Sequence, residues 1–185
     1  MKTRVATGFT LLEMLIAICI LAILSAVAIP LLSGNDPQKL NVAAQETSNL
    51  LRFALSEAKR TGGYVLVDGK TVAGRLALYH SNINAQMPPS IGTSAINDPL
   101  TKRATVLDVG ASPYSQGVAL TPQFRAGGQV RPQLLIGPGL GQMRGFDGAS
   151  NNFGALQVSS NVQLAYGSLS TTVSINSVTG LVGVP

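Results

Sequence analysis

Few side chains in this 185-residue sequence could carry a reaction, and those few form no recognisable catalytic pattern. His80 is the one histidine and Cys19 the one cysteine, and Cys19 falls inside an apolar stretch near the N-terminus. No HExxH, GxSxG or paired-carboxylate motif is present. A Ser-Lys hydrolase needs no fixed motif, yet no residue points to one. His80 beside Tyr79 reads as an ordinary strand-end residue. With a single cysteine, no disulfide can form within one chain, so any folded domain must hold by packing alone. The expectation is a protein that is not an enzyme, with no catalytic residue, no metal and no cofactor.

Three groupings could instead bind something. Gly63 followed by Gly69-Lys70-Thr71 superficially matches a phosphate-binding loop, but that motif has four residues between its glycines and a helix after the threonine. Here residues 64–68 intervene and Thr71 opens a strand-like run, so a β-turn explains the residues better. Asp147-Gly148-Ala149-Ser150-Asn151-Asn152 offers oxygen ligands, but one carboxylate is poor provision for calcium, and a polar turn is the expected reading. Arg125, Arg131 and Arg144 are scattered and could converge in three dimensions. Binding to nucleic acid needs clustered charge. The formal net charge of +5 comes from thirteen basic and eight acidic residues, and two of the thirteen, Lys2 and Arg4, belong to an expected leader.

Glu13 is different. It is the sole charge in the run Phe9–Leu32, FTLLEMLIAICILAILSAVAIPLL. As a helix this run reaches roughly 36 Å at about 1.5 Å per residue, enough for a hydrocarbon core of about 30 Å. Basic residues precede it and none follows until Lys39, which places residues 1–8 in the cytoplasm and the remainder outside. A secretory signal cut after Ala28 shares the basic start, the apolar core and the small residues Ala26-Val27-Ala28. Against that reading, a carboxylate deep in lipid costs about 2.5–3.5 kcal/mol or more, and a discarded signal gains nothing from it. The carboxylate makes sense where a cation waits at the same depth, and a newly made amino group at Phe9 is the best candidate.

The stretch Gly8-Phe9-Thr10-Leu11-Leu12-Glu13-Met14-Leu15-Ile16-Ala17 resembles the class III signal of type IV prepilins and type II secretion pseudopilins, with a short basic leader before it and Pro30 after it. That resemblance implies cleavage after Gly8 by a prepilin peptidase and methylation of the new Phe9 amine. It also implies that Glu13 pairs with the N-terminal amine of a neighbouring subunit during assembly. Pro30 removes a backbone donor; it either loosens a helix that melts on assembly or simply ends the span. Cys19 reads as a small buried apolar residue.

The elements that must hold these residues follow from periodicity. Ser33-Gly34-Asn35-Asp36-Pro37 is a turn-forming cluster, so a kink, or two helices end to end, is expected there. Between Lys39 and Lys59 the apolar residues recur near a 3.6-residue period with an alanine-rich face, an amphipathic helix that Thr61-Gly62-Gly63 ends. Its segment Leu51–Arg60 is similar to the end of the first helix in the minor-pseudopilin and minor-pilin branch typified by GspH and FimT. Beyond Gly63, a hairpin is expected from Tyr64–Val67 and Thr71–Tyr79. Further strands are expected at Ala104–Val109, Val130–Ile136, Ala155–Ser159, Val162–Tyr166, Thr171–Ile175 and Leu181–Val184, the last four as a meander. Asn82–Pro99 and Gly110–Gly128 read as loops.

The fold class is therefore α+β, pilin-like: a long N-terminal helix packed on an antiparallel sheet domain. The expected organisation is a cleaved leader (1–8), a transmembrane and assembly helix (9–32), an amphipathic outer half (33–62) and a periplasmic β-rich domain (63–185). Such a chain would be a single-pass protein of the bacterial inner membrane that joins a type II secretion pseudopilus or a type IV pilus. Its partners would be the prepilin peptidase, other pilins and the inner-membrane assembly platform. The alternative is a DNA-binding minor pilin of a competence pilus, but the C-terminal Val178–Pro185 lacks the arginines that this branch would lead one to expect, and nucleic acid is not an expected partner. A membrane-anchored or secreted enzyme has no constellation to support it.

Overall fold

A computed structural model describes residues 11–33, 36–81, 94–139, 142–148 and 150–184. The chain divides into two compact units, Met1–Asp36 and Pro37–Pro185. In the first, helix α1 runs from Leu11 to Ser33. In the second, helix α2 (Asp36–Thr61) precedes an antiparallel β-domain, so the α+β, pilin-like class holds.

Helix α2 is built as its periodicity demands. Pro37 sits in the first turn, where its missing N–H is harmless, and Lys59 and Arg60 occupy the last turn, where the helix dipole favours cations. Gly62, at φ +65°, ends the helix in the left-handed region that suits glycine. One face, Leu40, Ala43, Ala44, Leu51, Ala54 and Ala58, is buried. The alanines let the helix approach the sheets closely. Thr47 is buried on the same face, and its hydroxyl donates to the Ala43 carbonyl at 2.7 Å.

The strands are β1 (Tyr64–Asp68), β2 (Arg75–Ser81), β3 (Val106–Asp108), β4 (Ala119–Ala126), β5 (Gln129–Arg131), β6 (Gln133–Ile136), β7 (Met143–Asp147), β8 (Ser150–Ala155), β9 (Asn161–Tyr166), β10 (Leu169–Ile175) and β11 (Val182–Gly183). They form a six-stranded sheet in the order β3-β2-β1-β6-β7-β8 and a five-stranded sheet in the order β11-β10-β9-β4-β5. Val65 and Val67 of β1, Leu134 and Ile136 of β6, Phe124 of β4, Val162 and Leu164 of β9 and Val173 of β10 join the buried face of α2 in one core. Leu66, Leu135 and Phe146 form a second, smaller cluster with Tyr64 and Tyr79. Period-two alternation puts Leu66 on the opposite face of β1 from Val65 and Val67, so both faces of that strand are buried.

Several expectations need correction. The loop expected at Gly110–Gly128 contains β4, whose Leu120, Phe124 and Ala126 are buried. Pro122 is tolerated there because it lies opposite Val162 in a non-bonded pair, and β5 reaches only from Phe124 to Ala126. The strand expected over Val130–Ile136 breaks at Pro132: β5 belongs to one sheet and β6 to the other. At Ala155–Ser159 there is no strand beyond Ala155, only an isolated bridge from Leu156 to Ala126 and a turn. The neighbour of β9 opposite β10 is instead β4. Strand β2 starts at Arg75, because Asp68 holds Lys70 and Thr71 in a turn. The expected loop at Asn82–Pro99 lies outside the described residues as far as residue 93, after which Ala95 and Asn97 make single bridges to Tyr79 and Ala104. Strand β7 was missed because Gly145 interrupts its alternation. A Cβ at Gly145 would lie 2.7 Å from the Ala126 Cβ, so glycine is what allows this close approach.

Candidate functional site

Of the residues expected to drive processing and assembly, Gly8 and Phe9 lie outside the described residues. Glu13 falls in the first turn of α1, where the partial positive charge of the helix N-terminus favours a carboxylate. Around it Leu11, Leu12, Met14, Leu15, Ile16 and Ile18 are all at least 48% exposed, and so successive residues present apolar surface on every side of the helix. Cys19 is also exposed, contrary to the expectation of a buried thiol, because its helix offers it no core. Such a surface calls for lipid or other apolar helices around it. Helix α1 continues through Pro30 to Ser33, so the proline does not end it. Among the described residues no helix is long and apolar enough to cross a membrane. The sequence run Phe9–Leu32 extends past both ends of 11–24, the part of α1 whose side chains are described.

The residues that superficially matched a phosphate-binding loop form a structural latch instead. Asp68 Oδ1 accepts from the Lys70 N–H at 2.9 Å and from Gln133 Nε2 at 2.8 Å, and the Thr71 hydroxyl donates to Asp68 Oδ2. Gln133 Oε1 accepts from the Gly148 N–H at 2.8 Å, so one buried amide ties the turn after β1 to the turn after β7. Lys70 Nζ pairs with Asp147, outside the latch. Burial pushes the Asp68 carboxyl upward, but the bonds from Thr71, Lys70 and Gln133 outweigh it and hold its pKa below the ordinary value. Asp147 thus meets a lysine in the segment considered for calcium, and among the described residues no three His, Cys, Asp or Glu side chains cluster as metal ligands. Gln133 was not foreseen. A polar residue directly before the apolar Leu134-Leu135-Ile136 of an expected strand was the available signal.

At the end of α2, Glu57 is buried and accepts from Arg60 Nε at 2.9 Å and Nη2 at 2.7 Å. The Arg60 hydrogen bonds outweigh burial and hold the Glu57 pKa below the ordinary carboxylate value. His80 Nε2 lies 3.9 Å from Glu57 Oε1, within β2 rather than beside a nucleophile. Arg131 is buried, whereas Arg125 and Arg144 are exposed, so the three do not make one exposed basic patch.

Comparison with known proteins bears on the N-terminal segment. No curated protein and no solved structure matches the chain. Residues 3–29 match the family model of the prokaryotic N-terminal methylation motif. That span contains Gly8, Phe9 and Glu13, and it suggests a membrane-anchored N-terminus. The matched motif indicates a type IV pilin-like class, and it implies processing by a prepilin peptidase and assembly with other pilins.

Proposed function

We propose that this chain is a structural minor pseudopilin or minor pilin of the GspH and FimT branch, not an enzyme. It inserts once in the bacterial inner membrane, with the leader in the cytoplasm and the β-domain in the periplasm. After cleavage between Gly8 and Phe9 and methylation of Phe9, it enters a type II secretion pseudopilus or a type IV pilus through the assembly platform. The observation that carries this reading is a single carboxylate, Glu13, set in an apolar helix within the matched methylation motif. A carboxylate and an amine at the same depth in lipid offset each other's desolvation, so the pair sets subunit register, while the apolar surface of α1 supplies attraction without register.

Intact-mass measurement of protein from native membranes tests the processing step. A chain that starts at methylated Phe9 supports the reading, and one that starts at Ile29 replaces it with a conventional exported protein. Glu13→Ala tests the assembly step: membrane insertion stays normal and filament incorporation falls. Normal incorporation of this variant would refute the pairing role.

A further inference from the structure

Val106 stands at the rim of two cavities, one on each face of the sheet that contains it. The larger, of about 450 Å³, lies between α2 and β3; Leu50, Phe53 and Leu107 give it apolar walls, and Glu46 and Asp98 give it negative charge. The smaller, of about 190 Å³, is lined by Asp68, Thr71, Arg75 and Tyr79. Leu107 packs with the core that includes α2, whereas Tyr79 packs with the separate cluster on the other face of β1, which sets the two cavities on opposite sides. Strand β3 is the last of its sheet. The Leu78 N–H reaches the Thr105 carbonyl at 3.1 Å, so Val106, opposite Ala77, turns its N–H and C=O away from β2. Thr105 Oγ1, at the larger cavity, is buried without a hydrogen-bond partner.

Among the described residues no strand pairs with the outer side of Val106, which lies between the Asn97–Ala104 bridge and an Asp108 carbonyl that accepts from the Ser112 N–H. An open edge position with a pocket on each face is the arrangement that accepts an added strand. Backbone bonds hold the strand, and alternate side chains enter the two pockets. We propose that the edge of β3 is a docking site for an extended polypeptide segment of another protein. The segment places a large apolar side chain against Leu50, Phe53 and Leu107 and a small hydroxyl-bearing one against Thr71 and Tyr79, and a flanking lysine or arginine meets Glu46 and Asp98. Because β3 is only three residues long, few ladder bonds are available and the fit of the pockets selects the sequence. Twofold pairing with β3 of a second copy would bring the same carboxylates together, so charge favours a basic partner. This inference does not depend on the filament reading.

The test screens the full-length chain in lipid nanodiscs against a phage-displayed library of random heptapeptides. The expected binders alternate large apolar with small polar residues and carry a terminal lysine or arginine. A synthetic peptide of the enriched sequence binds Val106→Pro at least about tenfold more weakly, because that N–H is the donor an added strand needs. Val130→Pro, on the β5 edge of the other sheet, binds it as the wild type does. A double variant, Glu46→Gln with Asp98→Asn, leaves the β2–β3 ladder intact and loses the preference for basic peptides. Enrichment without alternation, or undiminished binding to a folded Val106→Pro, overturns the proposal. If Val106→Pro does not fold, an unchanged preference in the double variant overturns it. Self-association of the chain that Val106→Pro abolishes would give the edge to a second copy, and so would also overturn it.

Discussion

The two helices are close in length, 23 and 26 residues, yet their side chains meet opposite fates. Helix α1 exposes its leucines and isoleucines over residues 11–24 and carries one acid near its start. Helix α2 buries Leu51, Ala54 and Ala58 completely and leaves Lys59 and Arg60 exposed. Backbone hydrogen bonding is the same in both, so the difference lies in how apolar residues are distributed around the axis. A one-sided stripe finds its partner within its own chain. An apolar surface on all sides calls for lipid or other apolar helices, and that suits α1 to assembly as α2 is suited to holding a domain.

The sharpest way to break this contrast is a matched pair of truncations. Leu51→Ala should lower the unfolding free energy of the β-domain by about 3 kcal/mol, through lost transfer energy and the cavity left behind, as measured by urea unfolding of the full chain in micelles. Ile16→Ala should leave that transition in place. An equal loss in both would mean that α1 is part of the domain's stability after all.

Next in size is the latch. Gln133→Leu keeps the bulk but removes the bonds to Asp68 and the Gly148 N–H, at a cost of about 1–3 kcal/mol read from the same urea curves. A smaller and pH-dependent effect follows from Asp68 itself. Its folded pKa lies below its unfolded one, so its contribution is full above about pH 4 and disappears as the pH falls through the lower, folded value. The thermal midpoint of the wild type should therefore drop in acid more steeply than that of Asp68→Asn; parallel curves would remove Asp68 from the account. The least effect is expected from Arg60→Ala. Arg60 is exposed, and although Glu57 loses its partner the guanidinium is screened by water, so its midpoint should fall less than in the other variants.

Both helices could be read from the sequence because each displays its environment in a single period: uninterrupted apolarity for α1, a 3.6-residue repeat for α2. Strands β1, β9 and β10 were legible for a similar reason, since Val65, Val67, Val162, Leu164, Val173 and Ile175 mark their inward faces. Strand β4 was not, because Pro122 and its flanking glycines carry a loop's composition, and only the position of β5 explains why a proline does no harm. Gly145 hid β7 in the same way, for it answers to a neighbouring sheet and not to its own strand. Of the residues in the proposed assembly site, Glu13 stands out in the sequence by its charge alone, as the acid in the first turn of an apolar helix. Gln133 of the latch does not, because its two partners, Asp68 and Gly148, come from turns distant in sequence.

The order of strands also bears on how the chain comes into being. Strand β1 gains its second neighbour only once β6 exists, and β4 waits for β9. The Arg52 guanidinium, early in the chain, donates at 3.0 Å to the Val182 carbonyl 130 residues later. A polypeptide emerging from its N-terminus would thus leave the core face of α2 incompletely covered until β9, β10 and β11 arrive, with the slow closure that distant pairings impose. Strand β1 gains β6 well before then, so the inner face of α2 is the surface left longest without its full cover.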